Sequence, residues 1–226
     1  MSKNVLITGA AGNLGSSVAQ YLMENNYTIW GIVERGLKYT QIKGINYFEA
    51  DLNDESGTEQ LIQEIQTKAG KLDAAVLTVG GFDMSNISST SGKQLNAMFQ
   101  LNFMTAFHCI KPIYAGMKHK NGGQIIVIGA RPAIDGGASE MIPYAISKGA
   151  LIKLANILNE DSAKDKITTS VIVPSIIDTP ANRSAMPDAD FSKWVTPQVI
   201  AENIRHLLSS SGQALRSPIL KLYNEA

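Results

Sequence analysis

Residues 5–15 read VLITGAAGNLG, and the order of residue types in this stretch decides the architecture. Val5–Thr8 is a short, apolar, β-favouring run. The turn that follows holds Gly9, Ala11, Gly12 and Asn13. A helical pattern then begins, with Leu14, Val18 and Leu22 on one stripe and Gly15 at its start. Glycines permit a tight turn and let the backbone approach a pyrophosphate. The start of a helix adds unpaired N–H groups and the positive end of its dipole. A glycine triplet alone is a weak signal, and the reading gains weight from its place between a first strand and a first helix.

The same alternation runs along the chain. Strands are expected at Val5–Thr8, Thr28–Val33, Asn46–Glu49, Ala74–Thr78, Gln124–Gly129, Thr168–Val173 and Ile219–Tyr223. Helices are expected near 13–25, 55–69, 92–118, 142–162 and 196–209. Runs such as IIVIG and VIV are apolar throughout, as strands covered on both faces are. Repeated β–α alternation predicts an α/β fold, a Rossmann-type doubly wound parallel sheet in a single domain over 1–226. The segment 178–197 carries three prolines and weak periodicity, which predicts a long loop acting as a substrate lid.

Composition narrows the function classes. The 226 residues are 44% hydrophobic and 18% charged, and 20 basic side chains balance 20 acidic ones, which argues against a nucleic-acid or membrane surface. One cysteine, Cys109, precludes an intramolecular disulfide and favours a reducing, cytoplasmic setting. The apolar run after Lys3 is too short for a signal peptide, and no run approaches the roughly 20 residues of a spanning helix. The three histidines show no ligand spacing with Cys109, so no metal is expected.

The second strand ends Val33-Glu34-Arg35. A carboxylate at such a tip suits a ribose hydroxyl and NAD, while an arginine accommodates a 2′-phosphate. Glu34 and Arg35 read equally as solvated charges; the cofactor stays open, with a lean to NADPH. Asp51 either accepts from an adenine amino group or caps the helix starting near Asp54.

Further along, Tyr144 and Lys148 stand at i and i+4 on one helix, so they share a face. A free tyrosine titrates near about 10. A nearby ammonium lowers that value and lets the pair pass protons. Asn102 interrupts the apolar stripe Leu95, Met98, Phe99, Ala106, Ile110. It reads either as an asparagine satisfied in the core, where it can bend the helix, or as the holder of an ordered water beside the lysine. Phe99, Phe103, Phe107 and Tyr114 widen the apolar surface of 92–118, and 142–162 is also apolar on much of its circumference. Pairing of these helices in a homodimer or homotetramer is expected, against a core covered within one subunit.

The glycine loop, the set Asn102, Tyr144 and Lys148, and Pro174-Ser175-Ile176-Ile177-Asp178-Thr179 together resemble the short-chain dehydrogenase/reductase family over nearly the whole chain. That resemblance implies catalysis by Tyr144, Lys148 and Asn102. It also implies NAD(P)H contacts from Leu52, Val79, Gly80, Lys148, Pro174, Ile176, Ile177 and Thr179, in addition to the loop residues and Glu34, Arg35 and Asp51. Two departures stand out. Leu77-Thr78-Val79-Gly80 replaces the family's NNAG, and the serine a dozen or so residues before the tyrosine is absent, Ala130 or Arg131 standing there.

These departures, with Gly80-Gly81-Phe82, the stretch 129–136 and the segment 178–194, resemble the dihydropteridine reductase branch. That branch also carries alanine in the serine's place, and has tryptophan where this chain has Phe82. The implied reaction is hydride transfer to a quinonoid dihydropterin, with Phe82, Ala130, Met186 and Trp194 on the substrate side. Losing a donor to a developing oxyanion costs about 10²–10³ in rate. A conjugated imine needs a positioned acid more than that donor. The alternatives are a general NAD(P)H carbonyl or quinone reductase, and a dinucleotide-binding sensor without turnover.

Overall fold

The computed structural model describes residues 2–226. Seven parallel strands form one sheet: β1 (Asn4–Thr8), β2 (Thr28–Glu34), β3 (Ile45–Ala50), β4 (Ala74–Leu77), β5 (Gly123–Ile128), β6 (Ile167–Pro174) and β7 (Ile219–Leu222), in the order β3-β2-β1-β4-β5-β6-β7. Order runs outward in one direction from β1 and in the other from β4, so the switch point lies between them. Ligand crevices in open α/β sheets form at that point, beyond the carboxyl ends of the strands. Every residue of β6 is buried, while edge strand β7 alternates half-buried with exposed positions.

The helices are α1 (Asn13–Glu24), α2 (Glu55–Ala69), α3 (Gly92–Phe99), α4 (Thr105–His119), α5 (Ile142–Glu160), α6 (Ser162–Asp165), α7 (Pro180–Ala185) and α8 (Pro197–Leu207). One face of the sheet packs on α2, α4 and α5 through Ile62, Ile65, Cys109, Ile113, Leu151 and Ala155. The other packs on α1 and α8 through Val18, Leu22, Ile200, Ile204 and Leu207. Fully burying one such aliphatic side chain contributes about 1.5–3 kcal/mol. Thr196 starts α8 by accepting the Val199 N–H on its hydroxyl, and Ile200, Ile204 and Leu207 then fall on its inner stripe.

The expected strands agree with these elements to within a residue or so at their ends. The single helix expected over 92–118 does not form. It divides into α3 and α4 around a π-helical turn at Gln100–Met104, centred on Asn102. Such turns occur where a side chain is drawn out of the regular ladder, often at functional sites. The segment 178–197 is partly ordered into α7 and a 3₁₀ turn at Phe191–Lys193, and an isolated bridge pairs Ile177 with Val195 at its base.

Candidate active site and cofactor cleft

At the switch point the strand ends open onto a cleft of about 440 Å³. Of the sequence-predicted cofactor residues, Gly9, Ala11, Gly12, Asn13, Leu14, Gly15, Glu34, Asp51, Leu52, Val79, Gly80 and Thr179 line it. Gly9 takes a left-handed φ of 64°, which a glycine adopts without strain. A Cβ on Gly15 would stand 2.1 Å from the Gly9 carbonyl oxygen, so α1 can approach the turn this closely only through glycine. No side chain caps the start of α1, and its first turn carries no acid. An anionic group therefore has both space and a favourable field here. This cradle fits the pyrophosphate of a dinucleotide.

The far end of the cleft separates the remaining candidates. Asp54, not Asp51, caps α2, accepting the Gly57 N–H at 3.1 Å. Asp51 instead accepts from the backbone and side-chain N–H of Asn53, and those bonds hold its carboxyl below the ordinary value. Arg35 is exposed and lies outside the lining. Pro174, Ile176 and Ile177 close β6 and the strap that follows it, also outside the lining.

Sequence reasoning gave no role to Thr78. Its hydroxyl donates to the Thr8 carbonyl at 2.7 Å, and its N–H donates to the Thr8 hydroxyl at 3.2 Å, lacing β4 to β1 across the switch point. Leu37, Asn53, Leu101 and Thr105 also line the cleft without having been singled out. They come from loops and helices whose sequences carry no motif.

Tyr144, Lys148, Asn102 and Gly80 converge. Lys148 is only 5% exposed and donates to the Ile128 carbonyl at 2.9 Å. A Cβ on Gly80 would lie 2.6 Å from Asn102 Oδ1 and 2.9 Å from Lys148 Nζ, which measures how tightly the three are packed. Asn102 is fully buried. Its Oδ1 accepts the Gly81 N–H at 2.8 Å, and its Nδ2 donates to the Gly81 carbonyl at 3.1 Å and to Ser147 Oγ at 3.0 Å. Ser147 donates in turn to the Tyr144 carbonyl at 2.9 Å. The amide thus bends its helix and pins the Gly80–Phe82 loop to α5, leaving one Oδ1 lone pair for a further partner. Ser147 is a link that sequence reasoning missed, since a serine one residue before Lys148 carries no spacing signal.

The lysine was expected to lower the tyrosine's pKa, but the Lys148 ammonium turns to the Ile128 carbonyl and burial dominates both groups. Burial pushes Tyr144 up to about 12 and Lys148 down to about 8. Tyr144 therefore keeps its proton through neutral pH. Phe82, 57% exposed, meets the Tyr144 ring edge-on with centroids 5.0 Å apart.

The other substrate-side candidates divide. Ala130 is buried at the end of β5, and Met186 is partly exposed just after α7. Trp194 is 4% exposed and packs on Phe191 with centroids 4.8 Å apart, so it buttresses its own segment. Arg183 does similar work, making a two-pronged ion pair with Asp178 (2.5 and 2.7 Å) while its guanidinium lies 4.8 Å over Phe191.

The short chain dehydrogenase family model matches residues 3–190. The chain belongs to that family. It is 30% identical over 210 residues to the dihydropteridine reductase of Dictyostelium discoideum, covering 90% of this chain and 87% of the relative. The acetoacetyl-CoA reductase of Acinetobacter sp. (strain RA3849) is 23% identical over 238 residues, covering 97% and 96%. Among solved structures, ElxO with NADP bound superposes with a TM-score of 0.87 at 23% identity, covering 98% of this chain and 97% of that one. That likeness is one of fold. As a short-chain dehydrogenase the protein is an NAD(P)-dependent oxidoreductase. Among the described residues there is no group of three His, Cys, Asp or Glu side chains able to hold a metal ion, and no helix long and apolar enough to cross a membrane.

Proposed function

We propose that this short-chain dehydrogenase reduces a quinonoid dihydropterin, or a similarly small conjugated imine, with Tyr144 as proton donor. When bound, the reduced nicotinamide supplies the hydride. The observation that carries the reading is a buried alanine, Ala130, just past β5 in the segment leading to the helix of Tyr144, where carbonyl reduction uses a hydroxyl. The Arg131 side chain is committed elsewhere, donating to the Ala226 oxygen at 2.6 Å, which favours Ala130 over Arg131 as the residue in the serine's place. A conjugated imine is already electrophilic and gains little from a second oxyanion donor. Phe82 offers an exposed ring to such a substrate, and Met186 an exposed side chain on the 178–197 segment. The similarity to a dihydropteridine reductase supports the same substrate class.

Lys148 holds the cofactor ribose and the proton path to Tyr144. Asn102 fixes the loop that carries Gly80 and Phe82. The segment 178–197 acts as the substrate lid, its base clamped by the Ile177–Val195 bridge. Exposed Phe99 on α3 with Ile146 and Ile157 on α5 form an apolar face that a second copy of the chain covers.

A substrate panel tests the reading. The protein reduces quinonoid dihydropterin far faster than simple ketones, Ala130→Ser adds little with the pterin, and the same change raises ketone turnover. Efficient reduction of ordinary ketones with no pterin turnover gives first place to a general carbonyl reductase, the reading that similarity to an acetoacetyl-CoA reductase supports.

NADPH is the preferred donor through Arg35, which closes on the 2′-phosphate from the rim. Glu34 and Asp51, which line the same end, suit ribose hydroxyls and keep NADH usable. A charge-assisted hydrogen bond contributes about 1.5–3 kcal/mol. Arg35→Ala therefore weakens NADPH about tenfold or more and leaves NADH nearly unchanged in fluorescence titrations. Equal losses for both cofactors, or none, assign the arginine to the solvated surface.

A further inference from the structure

The last residues of the chain tie together two loops that the sequence separates widely. Asp135, in the turn after β5, accepts from Lys221 Nζ on one carboxylate oxygen at 2.6 Å and from the Tyr223 hydroxyl on the other at 2.5 Å. Four residues earlier, Arg131 reaches the Ala226 oxygen, and its guanidinium lies 5.0 Å over the Tyr223 ring. The same tail grips the segment after β6. Asn224 Nδ2 donates to the Ser192 and Trp194 carbonyls at 3.3 and 3.2 Å, and the Glu225 N–H donates to the Lys193 carbonyl at 3.3 Å. Three consecutive carbonyls, two in the 3₁₀ turn and one just after it, are thus held by two tail residues. Ser175 anchors the middle, its hydroxyl donating to the Tyr223 carbonyl at 2.7 Å.

None of these residues lines the dinucleotide cleft. The two loops they join carry Ala130 at one end and the Met186 and Trp194 segment at the other, the two sides of the substrate region under the function proposed above. We propose that residues 221–226 form a strap that sets the spacing between the 131–135 turn and the 178–197 segment, with Asp135 as the positioning residue that fastens it.

The physical case rests on cooperation. A single exposed ion pair contributes little, because solvent screens it and side-chain entropy opposes it. Here one carboxylate binds a cation and a phenol at once, and the arginine stacks on that same phenol. Each contact restricts the others, as in a network. Lys221 and Tyr223 hold Asp135 below the ordinary carboxylate range, while burial, then the bond to Asp135, pushes Tyr223 up to about 12. Both groups keep these protonation states across the neutral range, so the strap stays fastened there.

The inference depends on the substrate-side reading for its kinetic consequence, but not for its structural one. Two measurements separate them. Hydrogen–deuterium exchange on the ligand-free protein reads the strap directly: Asp135→Ala speeds exchange of backbone amides in 178–197 at least about tenfold and leaves the 9–15 loop unchanged. Steady-state kinetics reads the consequence. Misplacing a substrate by about 1 Å can cost 10²-fold, so Asp135→Ala lowers kcat/KM for the oxidised substrate by about 10–10², while the Kd for NADPH stays within about twofold. Asp135→Glu restores part of the loss. Tyr223→Phe and Lys221→Gln, milder changes, give smaller effects in the same direction and serve if Asp135→Ala does not fold. Unchanged exchange in 178–197 across all these variants overturns the strap. Faster exchange with no turnover of any dihydropterin leaves the strap standing and removes the substrate assignment instead. Equal losses of substrate and cofactor affinity assign the network to general stability and also overturn the proposal.

Discussion

Tyr144→Phe lowers turnover by at least about 10², the ordinary range for losing a general acid, and leaves the Kd for the reduced nicotinamide nearly unchanged. Tyr144 stands on α5 one turn before Lys148, its backbone is fixed through Ser147 and Asn102, and its ring meets that of Phe82 edge-on. Phenylalanine keeps the ring and its packing, so the change removes one hydroxyl and little else. Wild-type turnover in this variant removes Tyr144 from the reaction.

The pH dependence gives a companion measurement. Burial pushes Lys148 down from 10.5 to about 8, so the folded protein binds fewer protons than the unfolded chain between those values. Stability contributed by this group therefore rises as pH climbs through that window, and the buried ammonium is a cost below it. Activity runs the other way: kcat/KM for the reduced nicotinamide falls as pH passes about 8, where the ammonium is lost. Lys148→Arg, which stays charged, flattens that limb.

The second large effect is Gly15→Ala. Its new methyl would sit 2.1 Å from the Gly9 carbonyl oxygen and 2.8 Å from the Gly9 carbonyl carbon, both backbone atoms. Gly9 cannot give way easily, because its left-handed turn is backed by Thr78, itself bonded to Thr8. Relief has to come from moving α1 outward. Overpacking of this kind costs about 1–3 kcal/mol in stability. It also displaces the N–H groups that receive the pyrophosphate, and each 1.4 kcal/mol lost is about tenfold in affinity. We expect NADPH binding to weaken by about 10–10², with a lower Tm. Gly92→Ala, where the added methyl meets nothing within 4 Å, is the control and leaves both unchanged. Wild-type affinity in Gly15→Ala removes the glycine loop from the cofactor site.

The segment 178–197 illustrates how a sequence resemblance and a physical role can differ. Asp178, Arg183, Phe191 and Trp194 carry much of the likeness, yet their contacts are largely with one another. A recognisable pattern here specifies how the segment folds on itself. Of the two side chains of this segment proposed to meet substrate, Met186 is exposed and Trp194 is buried.

The sequence alone determined the alternating β–α plan, the strand positions, the glycine turn and the face shared by Tyr144 and Lys148. All of these are local: they follow from apolar runs, from the 3.6-residue helical repeat and from the conformational freedom of glycine. It also determined that no serine precedes the tyrosine at the expected distance. Tertiary structure decided the rest. It broke the helix at Asn102, whose amide finds its partners in Gly81 and Ser147, 21 and 45 residues away. It gave the α2 cap to Asp54 and left Asp51 facing the cleft. It turned the lysine toward Ile128 and reversed the expected shift of Tyr144, because burial is a property of everything packed around a group, and no spacing along the chain records it.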